Sequence, residues 1–159
     1  MTSREPWLDD PLGYLIGPER IETFFAKTYE REALIVHHDA AQRFDGLLNI
    51  DDVDRIVTSV DLREGQLSLA DATREMNANQ YVDASGFIDR GAVADHYRGG
   101  ATIILNQAHQ FEPKLARLCK GLEHVFSSHV QANLYLTPPN AQGFRTHYDN
   151  HDVLVIQVE

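Results

Sequence analysis

Residues 143–159 read GFRTHYDNHDVLVIQVE, and the first half of this stretch places His147, Asp149 and His151 at every second position. Side chains at positions i and i+2 of a β-strand lie on the same face, so His147 and Asp149 would point into one cavity. An imidazole and a carboxylate on one face are two of the three ligands that non-haem iron(II) sites use. His147 and Asp149 can therefore supply two adjacent metal ligands.

His151 would share the same strand face, but we do not predict it as a third ligand. Three ligands along one strand spread over roughly 13 Å of backbone at about 3.3 Å per residue. Such side chains do not easily converge on one ion at bond lengths of about 2.0–2.2 Å. Taken alone, HYDNHD also fits a polar turn with solvated side chains, and this alternative stays open at the level of the motif.

The second half of the stretch, VLVIQV at 153–158, is apolar at nearly every position. Such a run predicts a strand that is buried on both faces. Chain ends normally lie at the surface, and no turn signal follows this run before Glu159. We therefore expect that downstream sequence is missing from this chain, with a natural edge strand as the alternative.

Upstream of this stretch, helical and extended patterns are mixed, which predicts an α+β fold. Apolar spacing and end signals predict helices over GPERIETFFAKTYE, NIDDVDRIVTS, DRGAVADHYRGG and FEPKLARLCKGLEHVFSS. Short apolar or alternating runs predict strands over ALIVHH, QLSLAD, ATIILN and VQANLYLTP.

Composition excludes several classes of protein. With 43% hydrophobic and 24% charged residues, the chain has a soluble, globular composition. Its net charge of -10 disfavours binding to nucleic-acid backbones. No apolar run approaches the roughly 20 residues that cross a bilayer, and the N-terminus lacks the pattern of a signal peptide. Cys119 is the only cysteine, so no intrachain disulfide forms, and we expect a cytoplasmic location.

The stretch NLYLTPPNAQGF, which continues into RTHYDNHDVLVIQVE, resembles the JmjC/cupin oxygenases, most closely their ribosomal-oxygenase branch. An Asn-x-Tyr strand there runs through Thr-Pro and a Gln-Gly turn into His-Tyr-Asp. The preceding sequence from GATIILN onward and the opening from WLDDPLGYL resemble the same family. The resemblance spans most of the chain and is specific over about residues 100–159.

The resemblance implies a double-stranded β-helix that holds Fe(II) and uses 2-oxoglutarate and O2 to hydroxylate its substrate. By position, His147 and Asp149 match the first two iron ligands, and Asn133 and Tyr135 match positions that line the 2-oxoglutarate pocket. Alternatively, Asn133 and Tyr135 form an ordinary strand edge, with Tyr135 packed in the core. The distal histidine ligand and the basic residue that pairs with 2-oxoglutarate are expected after Glu159.

We therefore expect an N-terminal α/β lead-in over residues 1–98 and the first part of an incomplete JmjC/cupin domain over residues 99–159. The expected function is a dioxygenase that hydroxylates a protein substrate such as a ribosomal protein. Two alternatives stay open: a hydroxylase of small molecules or peptides, and a cupin-like binding domain or inactive fragment. We expect the chain alone to be inactive, with no nucleic-acid or membrane partner and with an oligomer possible.

Overall fold

The computed structural model describes residues 5–40 and 42–158, which form helices and a small antiparallel sheet. The α-helices are α1 (Pro11–Ile16), α2 (Ile21–Thr23), α3 (Ile50–Ser59), α4 (Arg90–Arg98) and α5 (Pro113–Phe126). Short 3-10 turns lie at Pro6–Leu8, Pro18–Arg20, Ala78–Gln80 and Ala108–Gln110, and a π-helical turn lies at Phe24–Thr28. The strands are β1 (Leu67–Ala70), β2 (Thr102–Leu105) and β3 (Leu134–Leu136).

The three strands are antiparallel in the order β1-β2-β3, so β2 is the central strand. Leu67 pairs with Leu105, and Leu105 pairs in turn with Leu134. Because successive side chains alternate between faces, this register collects leucine and isoleucine on one face of the sheet. The members of this apolar face are Leu67, Leu69, Ile103, Leu105, Leu134 and Leu136.

The described residues divide into two compact units, neither continuous in sequence. The first contains the described residues up to Ile50, Pro113–Val130 and the residues from Asn150 onward, and the second contains Asp51–Glu112 and Gln131–Asp149. The predicted boundary between residues 98 and 99 stays a prediction.

The core of the first unit is built by α1 and α5. Every residue of α1 is buried, and Asp10 caps the helix by accepting the N–H of Gly13 at 2.8 Å. A Cβ at Gly121 of α5 would lie 3.0 Å from Cγ of Pro11, so this glycine permits close approach of the two helices. An aromatic cluster packs beside them and consists of Phe24, Phe25, Tyr29 and Phe126.

The second unit holds the sheet together with α3 and α4. Val93 of α4 is 1% exposed, and Asp89 caps that helix by accepting the N–H of Ala92 at 3.0 Å. Glu112 is buried at 3% exposure and accepts a hydrogen bond from the guanidinium of Arg55 in α3 at 2.6 Å. The carboxylate thus enters the interior with a charged partner, as buried charges require.

Two strand predictions are wrong. ALIVHH at 33–38 forms no strand, and Ile35 is 78% exposed; His38 instead fixes this segment by donating from Nε2 to the carbonyl of Leu15 at 2.8 Å. VLVIQV at 153–158 also forms no strand, and Val155 is 86% exposed. Both runs are apolar enough for a sheet interior, but neither pairs with another strand among the described residues.

The helices and the three other strands predicted upstream of Gly143 are present, each shorter than its sequence pattern. The helix expected over GPERIETFFAKTYE is a composite of 3-10, α and π turns. Within residues 5–40 and 42–158, no helix has both the length and the apolar character needed to span a bilayer.

Candidate functional site

The second face of the sheet carries polar side chains. Ser68 of β1 pairs with Ile104, and Ile104 pairs with Tyr135 of β3. Beside this row, the hydroxyls of Thr102 and Thr137 lie 2.9 Å apart and share a hydrogen bond. Alternation therefore gives the sheet one apolar face and one face with hydroxyl groups, and Tyr135 lies on the latter.

Tyr135 is accessible to solvent. It is 56% exposed, which rules out the alternative that packs this tyrosine in the core. Its ring meets the ring of Phe144 edge-on, with centroids 5.9 Å apart and planes at 77°. This geometry is favourable for aromatic pairs, and it ties β3 to the segment that carries the predicted metal ligands.

Asn133 lies one residue before β3 and has a structural partner. Its Oδ1 accepts the backbone N–H of Gln107 at 3.0 Å. Gln107 has φ of 51°, a left-handed conformation that is unfavourable for residues with a side chain. The carbonyl oxygen of Asn133 therefore helps to hold this turn after β2, while the side chain itself stays exposed.

Residues 142–145, called segment 142–145 below, are attached to the second unit at several points. The N–H of Ala72 donates to the carbonyl of Gln142 at 2.9 Å, and Nε of Arg145 donates to the carbonyl of Ala72 at 3.2 Å. A Cβ at Gly143 would lie 2.5 Å from Oγ1 of Thr102, so only glycine fits against β2 here without movement. These contacts fix the backbone just before residues 147–149, called the HYD motif below.

His147 and Asp149 lie in a coil, so the prediction of a strand for this motif is wrong. The two side chains nevertheless lie on the same side, with Nε2 of His147 4.0 Å from Oδ1 of Asp149. Nδ1 of His147 donates to the carbonyl of Arg145 at 2.9 Å. Since a carbonyl only accepts, the proton of a neutral His147 lies on Nδ1, and Nε2 keeps its lone pair.

The pair suits two ligand positions of a divalent ion. Neighbouring ligands at about 2.1 Å and right angles lie about 3.0 Å apart, so the observed 4.0 Å has to close by about 1 Å. Both side chains are about half exposed, at 56% and 48%, and are free to make this adjustment. No group of three or more His, Cys, Asp or Glu side chains suitable for a metal occurs in the part of the chain that the structure describes.

An open cleft of about 440 Å³ is lined by residues 69–76 and by residues 143–145, which precede the predicted ligands in sequence. Phe144 forms part of its wall and also lies 5.5 Å, centroid to centroid, from the ring of His147. Asp71 at the cleft accepts hydrogen bonds from the hydroxyl and N–H of Thr73, which lower the pKa of this carboxyl group. Arg74 adds a charged hydrogen bond to the same carboxylate at 2.8 Å.

Sequence reasoning missed Phe144 and Arg145. Phe144 contacts both Tyr135 and His147, and Arg145 supplies the carbonyl that orients the imidazole. The glycine of the Gln-Gly-Phe turn was the available signal, because glycine within a turn often marks a close backbone approach. The partners, Thr102 and Ala72, are distant in sequence and carry no such signal.

Comparison with known proteins finds similarity to one family. Residues 104–159 match the JmjC domain. The chain is 33% identical over 146 residues to a bifunctional lysine-specific demethylase and histidyl-hydroxylase NO66 of Branchiostoma floridae, and 33% identical over 148 residues to its namesake in Drosophila mojavensis. It is 30% identical over 147 residues to ribosomal oxygenase 1 of Homo sapiens.

These alignments cover 92%, 93% and 92% of this chain, respectively. The chain in turn spans only 24%, 17% and 23% of the three relatives, a quarter of their length or less.

Proposed function

We propose that the protein is an Fe(II)- and 2-oxoglutarate-dependent dioxygenase, because its chain is homologous to JmjC oxygenases of the ribosomal-oxygenase branch. The observation that carries the proposal is the 4.0 Å approach of His147 Nε2 to Asp149 Oδ1 within the residues that match the JmjC domain. The described elements form part of a double-stranded β-helix in this proposal. A location in the cytoplasm stays a prediction.

In this proposal, His147 and Asp149 hold the iron from one side. The neutral imidazole offers the lone pair of Nε2, and the carboxylate offers a negative charge that favours a divalent cation. When bound, iron and 2-oxoglutarate supply the oxidation chemistry. The protein supplies the ligand geometry and positions the substrate.

Tyr135 and Asn133 are proposed to line the 2-oxoglutarate pocket. The exposed ring of Tyr135 contacts the ring of Phe144, and Phe144 contacts the ring of His147. One aromatic ring therefore lies between Tyr135 and the predicted metal ligand. The carbonyl oxygen of Asn133 is engaged by Gln107. Its amide group therefore contacts the cosubstrate by donating from Nδ2.

A protein substrate, such as a ribosomal protein, is the substrate class that the relatives favour. Human ribosomal oxygenase 1 is named for the ribosome, and the NO66 relatives are named for histidyl hydroxylation and lysine demethylation. The open cleft lined in part by Phe144, whose ring contacts that of His147, offers an accessible surface for an extended peptide. We accordingly propose hydroxylation of a protein side chain as the reaction.

The metal assignment is tested with Asp149→Ala in the full-length protein. Succinate formation from 2-oxoglutarate should fall to background, and Mn(II) binding measured by electron paramagnetic resonance should be lost, because a ligand and its charge are removed together. Asp152→Ala is the matched control, since Asp152 is also an exposed aspartate close by in sequence. Wild-type turnover in Asp149→Ala, or loss of turnover in Asp152→Ala, would show that the assignment is wrong.

The cosubstrate assignment is tested with Tyr135→Phe. Losing one hydroxyl hydrogen bond, worth about 0.5–1.5 kcal/mol, should weaken 2-oxoglutarate affinity about two- to tenfold while turnover persists. Titration of succinate formation against 2-oxoglutarate measures the change. Tyr148→Phe is the control, because Tyr148 is 91% exposed and has no proposed role. An unchanged affinity in Tyr135→Phe would exclude the phenol from the pocket.

A further inference from the structure

We propose that Arg145 is a positioning residue that presets His147 for metal binding; the proposal rests on the function proposed above. Arg145 makes two contacts from opposite ends of the residue. Its side-chain Nε donates to the carbonyl of Ala72 at 3.2 Å, and its backbone carbonyl accepts from Nδ1 of His147 at 2.9 Å. A single residue therefore connects the loop after β1 to the orientation of the imidazole.

The contact with Ala72 is part of a wider attachment. Both polar backbone groups of Ala72 are used, since its N–H donates to Gln142 at 2.9 Å and its carbonyl accepts from Arg145. Between these two hydrogen bonds, Gly143 packs directly against Thr102, which is 1% exposed. Segment 142–145 is thus held at both ends and in the middle, and Arg145 is the last attached residue before the HYD motif.

The second contact selects the form of the histidine. A neutral imidazole carries one proton, and the carbonyl of Arg145 requires that proton on Nδ1. Nε2 is then the nitrogen with a free lone pair, and it is the nitrogen that lies 4.0 Å from Asp149. Hydrogen bonds of this kind fix the tautomer and ring direction of metal-binding histidines, and their loss typically weakens metal affinity about 10–100-fold.

Removing the Arg145 side chain leaves its backbone carbonyl in place, so the expected loss of metal affinity is smaller than the loss of the hydrogen bond itself would cause. Without the anchor at Ala72, the carbonyl is no longer held at the distance and angle that suit Nδ1. We expect Mn(II) affinity to weaken about three- to tenfold and the Nδ1-protonated form of His147 to lose population in the metal-free protein.

Three substitutions in the full-length protein separate the hydrogen bond from the charge. Arg145→Gln places an N–H donor at the same number of bonds from the backbone as Nε, but without charge. Arg145→Met keeps similar length and removes the donor. Arg145→Glu places an acceptor oxygen against the Ala72 carbonyl, which repels it. Arg145 is exposed, so all three are expected to fold, and melting temperatures check this.

The readouts are Mn(II) affinity and the tautomer of His147, measured by nitrogen-15 NMR at pH 8.5. Arg145→Gln should stay within about twofold of wild type in affinity and keep the Nδ1-protonated form. Arg145→Met should lose affinity about three- to tenfold, and Arg145→Glu should lose more. Equal losses of affinity in Arg145→Gln and Arg145→Met would show that charge or side-chain size acts instead of the hydrogen bond. Unchanged affinity and tautomer in Arg145→Met or Arg145→Glu would show that Arg145 has no positioning role.

The NMR readout distinguishes the failure of this inference from failure of the proposed function. It is measured without metal, with the His147 signals assigned by their loss in His147→Gln. If wild-type protein bound no Mn(II) through His147, the dioxygenase proposal would fail, while the ordering of tautomer populations across Gln, Met and Glu would still decide the role of Arg145.

Discussion

Strand β2 and the run VLVIQV at 153–158 are both apolar in sequence, but only β2 is a buried strand in the structure. Both are nearly continuous apolar runs, for which the pattern predicts a strand buried on both faces. Every residue of β2 is buried, and the strand pairs with β1 on one side and β3 on the other. Residues 153–158 form no strand, and Val155 is 86% exposed.

The difference shows that an apolar run can be buried, but that it forms a strand only where neighbouring strands pair with its backbone. β2 lies between strands whose leucines match it in register, as in the row Leu67, Leu105 and Leu134. The backbone N–H and C=O groups of β2 are satisfied by those neighbours, which removes the cost of burying them. Residues 153–158 have no paired strand within the described chain, and their apolar side chains stay accessible.

Leu105→Ala and Val155→Ala give the largest test of this comparison. Leu105 is 0% exposed, so its truncation should lower the free energy of unfolding by about 2–5 kcal/mol through lost burial and a cavity. Val155→Ala should change it by about 0.5 kcal/mol or less, because the side chain is already in water. Chemical denaturation measures both. Similar losses in the two variants would mean that residues 153–158 are buried in solution.

Gly143→Ala tests how tightly a coil residue is packed on β2. The added Cβ would lie 2.5 Å from Oγ1 and 2.9 Å from Cβ of Thr102, so the segment has to shift. We expect a loss of about 1–3 kcal/mol in unfolding free energy. Gly46→Ala is the control, because its nearest neighbour would be a ring carbon of Trp7 at an ordinary 3.8 Å. Equal stability of the two variants would show that the contact with Thr102 is not close in solution.

Val155→Lys tests the exposed run without touching the folded core. A charge in an exposed apolar segment opposes edge-to-edge association, so binding of a hydrophobic dye and self-association should both decrease. The free energy of unfolding should change by about 0.5 kcal/mol or less. Light scattering and dye fluorescence of residues 1–159 provide the measurements.

Ile35→Lys is the parallel substitution in the other exposed run and should act in the same direction. Unchanged dye binding and association in both variants would show that these runs are covered in solution.

Glu123→Gln gives the smallest effect, which is present near neutral pH and disappears in acid. Hydrogen bonds from Lys120, the N–H of Val130 and His129 lower the pKa of Glu123 from 4.5 to about 2. A depressed folded-state pKa contributes stability that is present above pH 4.5 and is lost as the pH falls toward about 2. The melting temperature of wild type should therefore exceed that of Glu123→Gln near neutral pH, and the difference should shrink across this window.

Glu22→Gln, at an exposed helical glutamate, should not reproduce the pH-dependent difference. If the melting temperatures of wild type and Glu123→Gln differed by the same amount from pH 6 to pH 2, the stabilisation by Glu123 would not depend on ionisation of its carboxyl group.

The helices with clear stripes and caps and the three strands of the sheet could be predicted from the sequence, because side-chain periodicity and end signals act over a few residues and are readable locally. The assignment of His147, Asp149, Asn133 and Tyr135 to a site also came from the sequence and stays a prediction. Proximity of His147 and Asp149 also followed from their spacing, although the backbone that brings them together is a coil and not a strand.

The burial of each apolar run and the way the predicted ligands are held could not be predicted locally, because both depend on tertiary contacts. The exposure of ALIVHH and VLVIQV depends on the absence of paired strands for them among the described residues. The orientation of His147 depends on Arg145, which is anchored to Ala72, and the packing of Gly143 depends on Thr102. These partners are far apart in sequence, and chain folding alone brings their backbone groups within hydrogen-bonding or packing distance.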